Sequence, residues 1–324
     1  MKAVVCTSFG PPERLELKEL PPLRASSGQA VVSVRACGVN FPDTLIIEGK
    51  YQFRPEPPFS PGGEVAGVVS SVGEGVTGVA PGDRVIALMP WGGYAEEVVT
   101  DATRLVPIPD GVDFVAAAAT LTTYGTTYYA LADRAAMKPG ETLLVLGAAG
   151  GVGLAAVQLG KLMGARVIAA ASSAAKLEIC RQSGADEVID YAAEDLKERV
   201  KALTGGLGAD VVYDPVGGKY SEAALRATAW NGRLLVIGFA AGEIPKIPLN
   251  LTLLKGAAIL GVFWGQFTMR DPAGARAQFA QLLAWVAAGK LQPHIFATLT
   301  LAEAGQAMRQ LLDRKVQGKI VLVP

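Results

Sequence analysis

A chain of 324 residues, half of them hydrophobic, is long enough to bury a large core, and its length favours two domains. Its 30 lysines and arginines balance 30 aspartates and glutamates, so no overall basic field exists to attract nucleic acid or a membrane surface. The cysteines Cys6, Cys37 and Cys180 have no CxxC spacing, the first residues carry no secretory signal, and no apolar run is long enough to span a bilayer. We therefore expect a cytoplasmic protein that binds neither nucleic acid nor membrane.

The first 119 residues contain short β-branched runs separated by glycine and proline. These runs are AVVCT, AVVSVRACGV, GEVAGVVSSVG, DRVIAL and AEEVV. Their spacing is typical of a compact β-rich domain, and it predicts a partly closed barrel.

From about residue 120 to residue 262, buried strands alternate with amphipathic stretches. The predicted strands lie in LLVLG, RVIAAA, EVIDY, ADVVYDPV, RLLVIG and AAILGVF. Parallel strands need crossover connections, so this order predicts a doubly wound α/β domain with a parallel sheet. Its last strand would leave an apolar edge, and we expect a homodimer that pairs through residues 257–262.

Within this domain, LLVLGAAGGVG at residues 143–153 is an apolar strand that runs into a glycine-rich turn and then a helix. Glycines let the backbone approach a pyrophosphate, and the N–H groups at the start of the helix bind its charge. Ala148 stands in the first glycine position of the usual fingerprint. The predicted dinucleotide site consists of Gly147, Ala149, Gly150, Gly151, Val152 and Gly153.

The strand after this turn carries a signal for the type of dinucleotide. NAD sites usually have an acidic residue there, about 20 positions beyond the glycines, which accepts the ribose hydroxyls. Here the strand ends in AAASSAAK, so Ser172, Ser173 and Lys176 offer hydroxyls and a cation instead. We expect NADPH; in the alternative, the serines only cap the helix that begins near Ala174.

The remainder of the chain contains two predicted helices, ARAQFAQLLAWVAAGK and a second around AEAGQAMRQLLDRK, followed by the strand KIVLV. We expect this tail to return to the β-rich domain. The predicted domains are therefore residues 1–119 with 263–324, and residues 120–262.

An ordered set of motifs resembles the medium-chain dehydrogenase/reductase superfamily, in its zinc-free quinone oxidoreductase branch, over nearly the whole chain. The motifs are ACGVNFPDTL, PGGEVAGVVSSVGEGV, PGDRV, GGYAEEVV, GAAGGVGLAAVQ and GKIVL. The resemblance implies a GroES-like, partly closed β-barrel as the catalytic domain and a Rossmann domain for the cofactor.

The resemblance also implies that no catalytic zinc is bound. Zinc-dependent alcohol dehydrogenases of this superfamily have a cysteine ligand where this chain has Asn40 and a histidine ligand where it has Gly63, and the third ligand position falls near Thr122. A catalytic zinc needs three protein ligands. We therefore expect no metal.

Further site residues follow from the resemblance. Asn40 would lie beside the nicotinamide ribose and donate a hydrogen bond to the substrate oxygen, or else stabilise its own turn. Tyr51 matches a tyrosine over the active site of relatives and would donate a proton or a hydrogen bond, or else pack under the proline-rich loop. The resemblance adds Tyr129 and Tyr191 as cofactor neighbours. Val216, Gly238 and Phe239 follow predicted strands at the side where doubly wound sheets bind ligands, so we expect them at the cofactor too, together with Phe263 and Lys319. The Thr126 hydroxyl would contact the nicotinamide side of the cofactor, or else bond within its own helix.

Several of these residues have open alternatives. Lys319 would reach the cofactor phosphates or lie on the surface at a strand end. Phe263 and Trp264 would form an aromatic wall for a quinone, or belong to the core or to a dimer interface. We expect Glu64 to form a buried structural pair and Asp43 to hold its loop.

Together these features predict an enzyme that transfers a hydride from NADPH to a quinone or another α,β-unsaturated carbonyl compound in a cleft between the domains. A rival within the superfamily is a 2-enoyl thioester reductase, for which Lys50, Arg54 and Arg270 are candidates to bind the phosphates of CoA. A rival from another class is an NADPH-binding structural or regulatory protein without turnover.

Overall fold

The computed structural model describes residues 1–324 and divides into two compact units. One unit comprises Met1–Thr122 and Phe279–Pro324, and the other comprises Thr123–Gln278. The strands are β1 (Lys2–Val5), β2 (Glu16–Glu19), β3 (Gln29–Val39), β4 (Glu64–Val72), β5 (Arg84–Leu88), β6 (Glu97–Asp101), β7 (Leu105–Pro107), β8 (Thr142–Leu146), β9 (Arg166–Ala171), β10 (Glu187–Asp190), β11 (Ala209–Asp214), β12 (Thr228–Val236), β13 (Ala258–Gly261), β14 (Ile295–Thr300) and β15 (Lys319–Val323). The α-helices are α1 (Phe41–Ile47), α2 (Phe114–Ala118), α3 (Leu121–Tyr128), α4 (Gly151–Leu162), α5 (Ala174–Gln182), α6 (Leu196–Leu203), α7 (Lys219–Arg226), α8 (Asn250–Lys255), α9 (Trp264–Arg270), α10 (Pro272–Ala287) and α11 (Ala304–Leu312).

The first unit is built around a seven-stranded sheet. Its strand order is β14-β15-β3-β4-β5-β7, with β6 paired to β3. The predicted return of the tail is confirmed, because β15 lies antiparallel to β3 with Ile320 opposite Val39. Apolar side chains from β3, β4, β5 and β15 form the core of this unit, and their burial is the main force that holds the tail in place.

Strand β14 was not predicted. It lies parallel to β15 at the edge of the sheet, and its side chains alternate between half-buried and exposed. An edge strand that buries neither face fully leaves only a weak apolar pattern in its sequence, here IFATLT.

The second unit contains a six-stranded sheet of order β10-β9-β8-β11-β12-β13, in which every pair is parallel. All six predicted strands are confirmed, as is the doubly wound α/β class. The chain order reverses between β8 and β11, which is where sheets of this kind bind ligands at the carboxyl ends of the strands. Strand β13 forms one edge, as expected.

The boundary between the units in the tail lies after Gln278 rather than after residue 262. Helix α9 and the start of α10 stay with the second unit because their side chains pack there. The ring of Phe267 stacks on Tyr129 at 4.4 Å, and Gln278 Nε2 donates to Asp133 Oδ2 at 2.7 Å.

The longest helix, α10, has 16 residues. None of the helices combines the length and the apolar character that crossing a lipid bilayer requires.

Candidate active site

Asn40 stands between the end of β3 and the start of α1. Its backbone N–H donates to Asp43 Oδ2 at 2.8 Å, which is the carboxylate half of a capping box. Asp43 therefore holds the loop, as expected. The Asn40 side chain also has hydrogen-bond partners outside α1.

These partners form a buried polar cluster, which we define as Asn40, Glu64 and Lys319. Asn40 Nδ2 donates to Glu64 Oε2 at 3.2 Å and to the carbonyl oxygen of Gly38 at 3.3 Å. Asn40 Oδ1 accepts from Lys319 Nζ at 2.6 Å. The alternative of an asparagine that only stabilises its turn does not account for these contacts with residues distant in sequence.

Glu64 is fully buried and has two further contacts. Its Oε2 atom lies 3.7 Å from Lys319 Nζ, and its Oε1 atom accepts from the backbone N–H of Thr122 at 2.9 Å. The expected buried structural pair is thus present, and its partner is Lys319.

The placement of Lys319 corrects one of its two expected roles. The residue is 4% exposed, so it is not a surface lysine. Its ammonium group donates to Asn40 Oδ1 and to the carbonyl oxygen of Val39, and it pairs with Glu64. Two of the three ammonium donors are used in hydrogen bonds, and Glu64 Oε2, at 3.7 Å, is an ion-pair partner beyond hydrogen-bond distance. Contact of Lys319 with a cofactor phosphate stays a prediction.

Asp43 carries a second contact that the sequence did not indicate. The hydroxyl of Tyr94 donates to Asp43 Oδ2 at 3.1 Å, and both residues are buried. Burial raises the pKa of Asp43 to about 6, although its two hydrogen bonds and the charge of Lys319 partly offset this effect. Burial also raises the pKa of Tyr94 well above its usual value.

Tyr51 is half-buried and packs against the core of the first unit, with its ring centroid 5.9 Å from that of Phe53. Burial, followed by the negative charge of Asp43, raises the pKa of the Tyr51 hydroxyl. This hydroxyl therefore stays protonated over the neutral range and can donate a hydrogen bond. Packing and donation are compatible at this position.

The residues at the superfamily's zinc positions do not fit a metal. A Cβ atom on Gly63 would lie 2.9 Å from the carbonyl oxygen of Met89, so the backbone leaves no room for a ligand side chain. Burial keeps the pKa of the neighbouring Cys37 thiol well above its usual value, which opposes the thiolate that metals need. The structure contains no group of three or more His, Cys, Asp or Glu side chains arranged to hold a metal ion.

The glycine turn of the second unit fits a dinucleotide pyrophosphate. Gly147 has φ +57°, and a Cβ atom on Gly153 would lie 2.3 Å from the carbonyl oxygen of Gly147, so both positions require glycine. Helix α4 begins at Gly151, after Gly150, and no side chain caps it. Its first N–H groups therefore face the turn without a capping side chain, as anion binding requires.

Strand β9 ends at Ala171 and is followed by Ser172 and Ser173. The hydroxyl of Ser173 accepts from the backbone N–H of Lys176 at 3.5 Å and caps α5. The capping alternative thus holds for Ser173, whereas Ser172 is exposed. No carboxylate directly follows β9 in the sequence, whereas Asp190 at the end of β10 lies opposite Ala171.

Several expected cofactor neighbours follow the carboxyl ends of parallel strands in the second unit. Tyr191 follows β10, Val216 follows β11, and Phe263 follows β13. Gly238 and Phe239 follow β12. Because the strands are parallel, these positions share one edge of the sheet with the glycine turn. Phe239 and Phe263 are 37% and 45% exposed there.

Tyr129, directly after α3, and the aromatic residues of α9 pack against one another or against α3. Tyr129 stacks on Phe267, so one face of its ring is covered. A Cβ atom on Gly125 would lie 2.6 Å from the indole of Trp264, which shows that this ring packs closely on α3. Trp264 is half-buried against α3, while Phe263 keeps an exposed ring. Thr126 lies on α3 between these contacts.

Two family models match the chain. The model described as an alcohol dehydrogenase GroES-like domain matches residues 26–110, and the model described as a zinc-binding dehydrogenase matches residues 151–288. The second range includes none of positions 40, 63 and 122, so its name carries no information about a metal in this chain.

The chain is also similar to curated proteins along its whole length. It is 42% identical to a quinone oxidoreductase-like protein 2 homolog from Nematostella vectensis, over 99% of this chain and 88% of that protein. It is 37% identical to a quinone oxidoreductase from Pseudomonas aeruginosa, over 100% of this chain and 99% of that protein.

Solved structures of quinone oxidoreductases are also similar to this chain. A quinone oxidoreductase from Escherichia coli complexed with NADPH has a TM-score of 0.92 at 31% identity, over 100% of both chains. A mycobacterial protein complexed with NADPH has a TM-score of 0.93 at 33% identity, over 100% of both chains. A structure described as an NAD-dependent alcohol dehydrogenase reaches 0.91 at 33% identity, again over 100% of both chains, so the fold does not select the cofactor. The predicted pairing of a GroES-like domain with a Rossmann sheet is confirmed, and the chain belongs to the medium-chain dehydrogenase/reductase superfamily, in its quinone oxidoreductase branch.

Proposed function

We propose that this protein is a zinc-independent oxidoreductase that transfers a hydride from NADPH to a quinone or another α,β-unsaturated carbonyl compound. The observation that carries the proposal is the buried polar cluster. At the position where alcohol-oxidising relatives have a zinc ligand, Asn40 offers an amide held by Lys319 and Glu64. An amide donates hydrogen bonds but does not polarise an alcohol as a Lewis acid does, which favours reduction of an electrophilic carbonyl compound.

The glycine turn and its neighbours are the residues that would hold NADPH. The open N-terminus of α4 suits the pyrophosphate, and the glycines at 147 and 153 allow its close approach. Ser172 and Lys176 offer a hydroxyl and a cation to the 2′-phosphate. When bound, the cofactor supplies the hydride.

In this proposal the residues of the first unit act on the substrate oxygen. Asn40 Nδ2 donates a hydrogen bond to that oxygen as negative charge develops on it. Tyr51, whose raised pKa keeps the hydroxyl protonated, donates a second hydrogen bond, and solvent supplies the proton.

The test is oxidation of NADPH and of NADH, followed separately with a simple quinone, a small enone and crotonyl-CoA, each with and without a chelator. We expect turnover with the quinone or the enone, a preference for NADPH of about tenfold or more in kcat/KM, and no effect of the chelator. Loss of activity with chelator would contradict the zinc-independent chemistry. A preference for crotonyl-CoA would support the thioester reductase, and NADPH binding without turnover would support the binding protein.

We also propose a homodimer that pairs along β13. This strand forms an edge of the parallel sheet, and edges with free backbone groups invite pairing. The surface of the second unit also exposes an unusual number of large apolar side chains, three of them on or beside α8. These are Leu207, Trp230, Ile244, Leu249, Leu253 and Leu254, all between 68% and 79% exposed. Such a patch is typical of an interface.

The proposed location is the cytoplasm. The three cysteines are all free thiols, and all are buried. Unpaired cysteines of this kind fit a reducing compartment.

A further inference from the structure

The side-chain amide of Asn40 lies between two groups of opposite charge. Lys319 Nζ is 2.6 Å from its oxygen, and Glu64 Oε2 is 3.2 Å from its nitrogen. The cluster draws on three separate parts of the chain, the end of β3, the start of β4 and the start of β15. A cluster assembled from such distant segments is specific to the fold rather than to one local turn.

The two charges permit only one orientation of the amide. An ammonium group has donors and no acceptor, and a carboxylate has acceptors and no donor. Rotation of the amide by half a turn would set the Asn40 NH2 group against the Lys319 ammonium group and its carbonyl oxygen against the Glu64 carboxylate. Both hydrogen bonds would be lost inside a buried region, where unpaired polar groups are most costly.

We propose that Lys319, together with Glu64, is a positioning residue that sets the orientation of the Asn40 amide toward the substrate. The inference rests on the proposed function, in which Asn40 Nδ2 donates to the substrate oxygen. Lys319 polarises the amide through its oxygen, and such polarisation strengthens the N–H groups as donors. Lys319 itself is 4% exposed and acts only through Asn40.

The contacts also indicate which of the two hydrogens of the Asn40 NH2 group is donated to the substrate oxygen. Asn40 Nδ2 donates to the carboxylate of Glu64 at 3.2 Å and to the neutral carbonyl oxygen of Gly38 at 3.3 Å. A neutral acceptor at that distance is the weaker of the two. The substrate oxygen therefore replaces Gly38 as acceptor, while Glu64 keeps its hydrogen bond.

The kinetic test uses two variants of the cluster, an Asn40→Ala background and one control. Lys319→Met removes the charge but leaves Glu64 buried without its counter-ion, which can destabilise the fold. The double variant Lys319→Met with Glu64→Gln removes both charges and keeps the test valid if the single variant does not fold. Lys315→Met is the control, since Lys315 is exposed and pairs only with Asp313.

We expect the double variant to fold and to bind NADPH, measured by fluorescence, within about twofold of the wild type, while kcat/KM for the quinone falls about tenfold to a hundredfold. In an Asn40→Ala background the same double substitution should lower kcat/KM by less than about twofold, because Asn40 is the residue through which it acts. A loss of equal size in both backgrounds, or activity within about twofold of the wild type in the double variant, would overturn the proposal.

A second readout does not depend on activity. The chain has only three asparagines, Asn40, Asn231 and Asn250, so selective 15N-asparagine labelling gives three pairs of side-chain amide signals. Asn231 and Asn250 are exposed and serve as internal references. The Asn40 pair, identified by its loss in Asn40→Ala, should exchange with solvent at least about tenfold more slowly than the references.

In the double variant, this protection of the Asn40 pair should be lost, whereas Lys315→Met should keep it. Unchanged protection in the double variant would overturn the positioning role. If none of the tested acceptors supports NADPH oxidation by the wild type, the proposed function fails. The amide signals then still decide whether Lys319 and Glu64 orient Asn40.

Discussion

Asp43 is the buried group whose ionisation has a measurable effect on stability. Its pKa is raised from 3.8 to about 6, with burial as the largest cause. A carboxyl group with a raised pKa holds its proton more tightly in the folded state than in the unfolded state. Its contribution to stability is therefore greatest below pH 3.8 and is lost as the pH rises through 6.

The size of the effect follows from the shift. A change of one pKa unit corresponds to about 1.4 kcal/mol, so the full loss of stability is about 3 kcal/mol. About 2 kcal/mol of this falls between about pH 4.5 and about pH 7.5, where the protein is convenient to study.

The assay is urea unfolding of the wild type and of Asp43→Asn, followed by circular dichroism at several pH values. The amide retains an oxygen that accepts from the Asn40 N–H but does not titrate, and every other carboxyl group is present in both proteins. The free energy of unfolding of the wild type, relative to the variant, should fall by about 2 kcal/mol from about pH 4.5 to about pH 7.5. A difference that stays constant, or that rises with pH, would refute the reasoning.

Three further predictions concern the cofactor turn, the proposed interface and the substrate site. Gly153→Ala should lower the free energy of unfolding by about 1 to 3 kcal/mol and weaken NADPH binding, because the new Cβ atom would collide with backbone atoms. Gly265→Ala is the control: its Cβ atom would meet only a ring atom, at 3.7 Å, so stability and NADPH binding should stay unchanged. Leu253→Asp should convert the dimer to a monomer in light scattering, while Leu17→Asp, an exposed site in the first unit, should not; a wild-type monomer at micromolar concentration would contradict the interface. Tyr51→Phe should lower kcat about tenfold with NADPH affinity unchanged, and unaltered turnover would remove Tyr51 from the site.

The parallel sheet could be predicted because its central strands β8, β9 and β11 are largely apolar runs bounded by turn residues. Both faces of such a strand are buried, so the signal is local and strong. The glycine turn could be predicted for the same reason, since its conformation is determined by residues 147 to 153 themselves.

The buried polar cluster could only be predicted in part. Asn40 and Glu64 lie in recognisable motifs, but Lys319 reaches them only because β15 pairs with β3 at the end of the chain. Nothing near Lys319 in sequence distinguishes it from a surface lysine at a strand end. Tyr94 was missed for a similar reason, because its hydrogen bond to Asp43 joins segments 51 residues apart.

The short distance between Gly63 and the carbonyl oxygen of Met89 limits how this protein can be redesigned. Gly63 and Met89 extend the antiparallel pairing of β4 and β5, and the Met89 N–H donates to the Gly63 carbonyl oxygen at 2.9 Å. The Cβ atom of any larger residue at position 63 would collide with the carbonyl oxygen of Met89, the residue opposite it on the neighbouring strand. Restoring an alcohol dehydrogenase by exchanging side chains at positions 40 and 63 would therefore fail unless the main chain after β5 were rebuilt as well. The barrier between the two chemistries lies in the path of the backbone as much as in the side chains it carries.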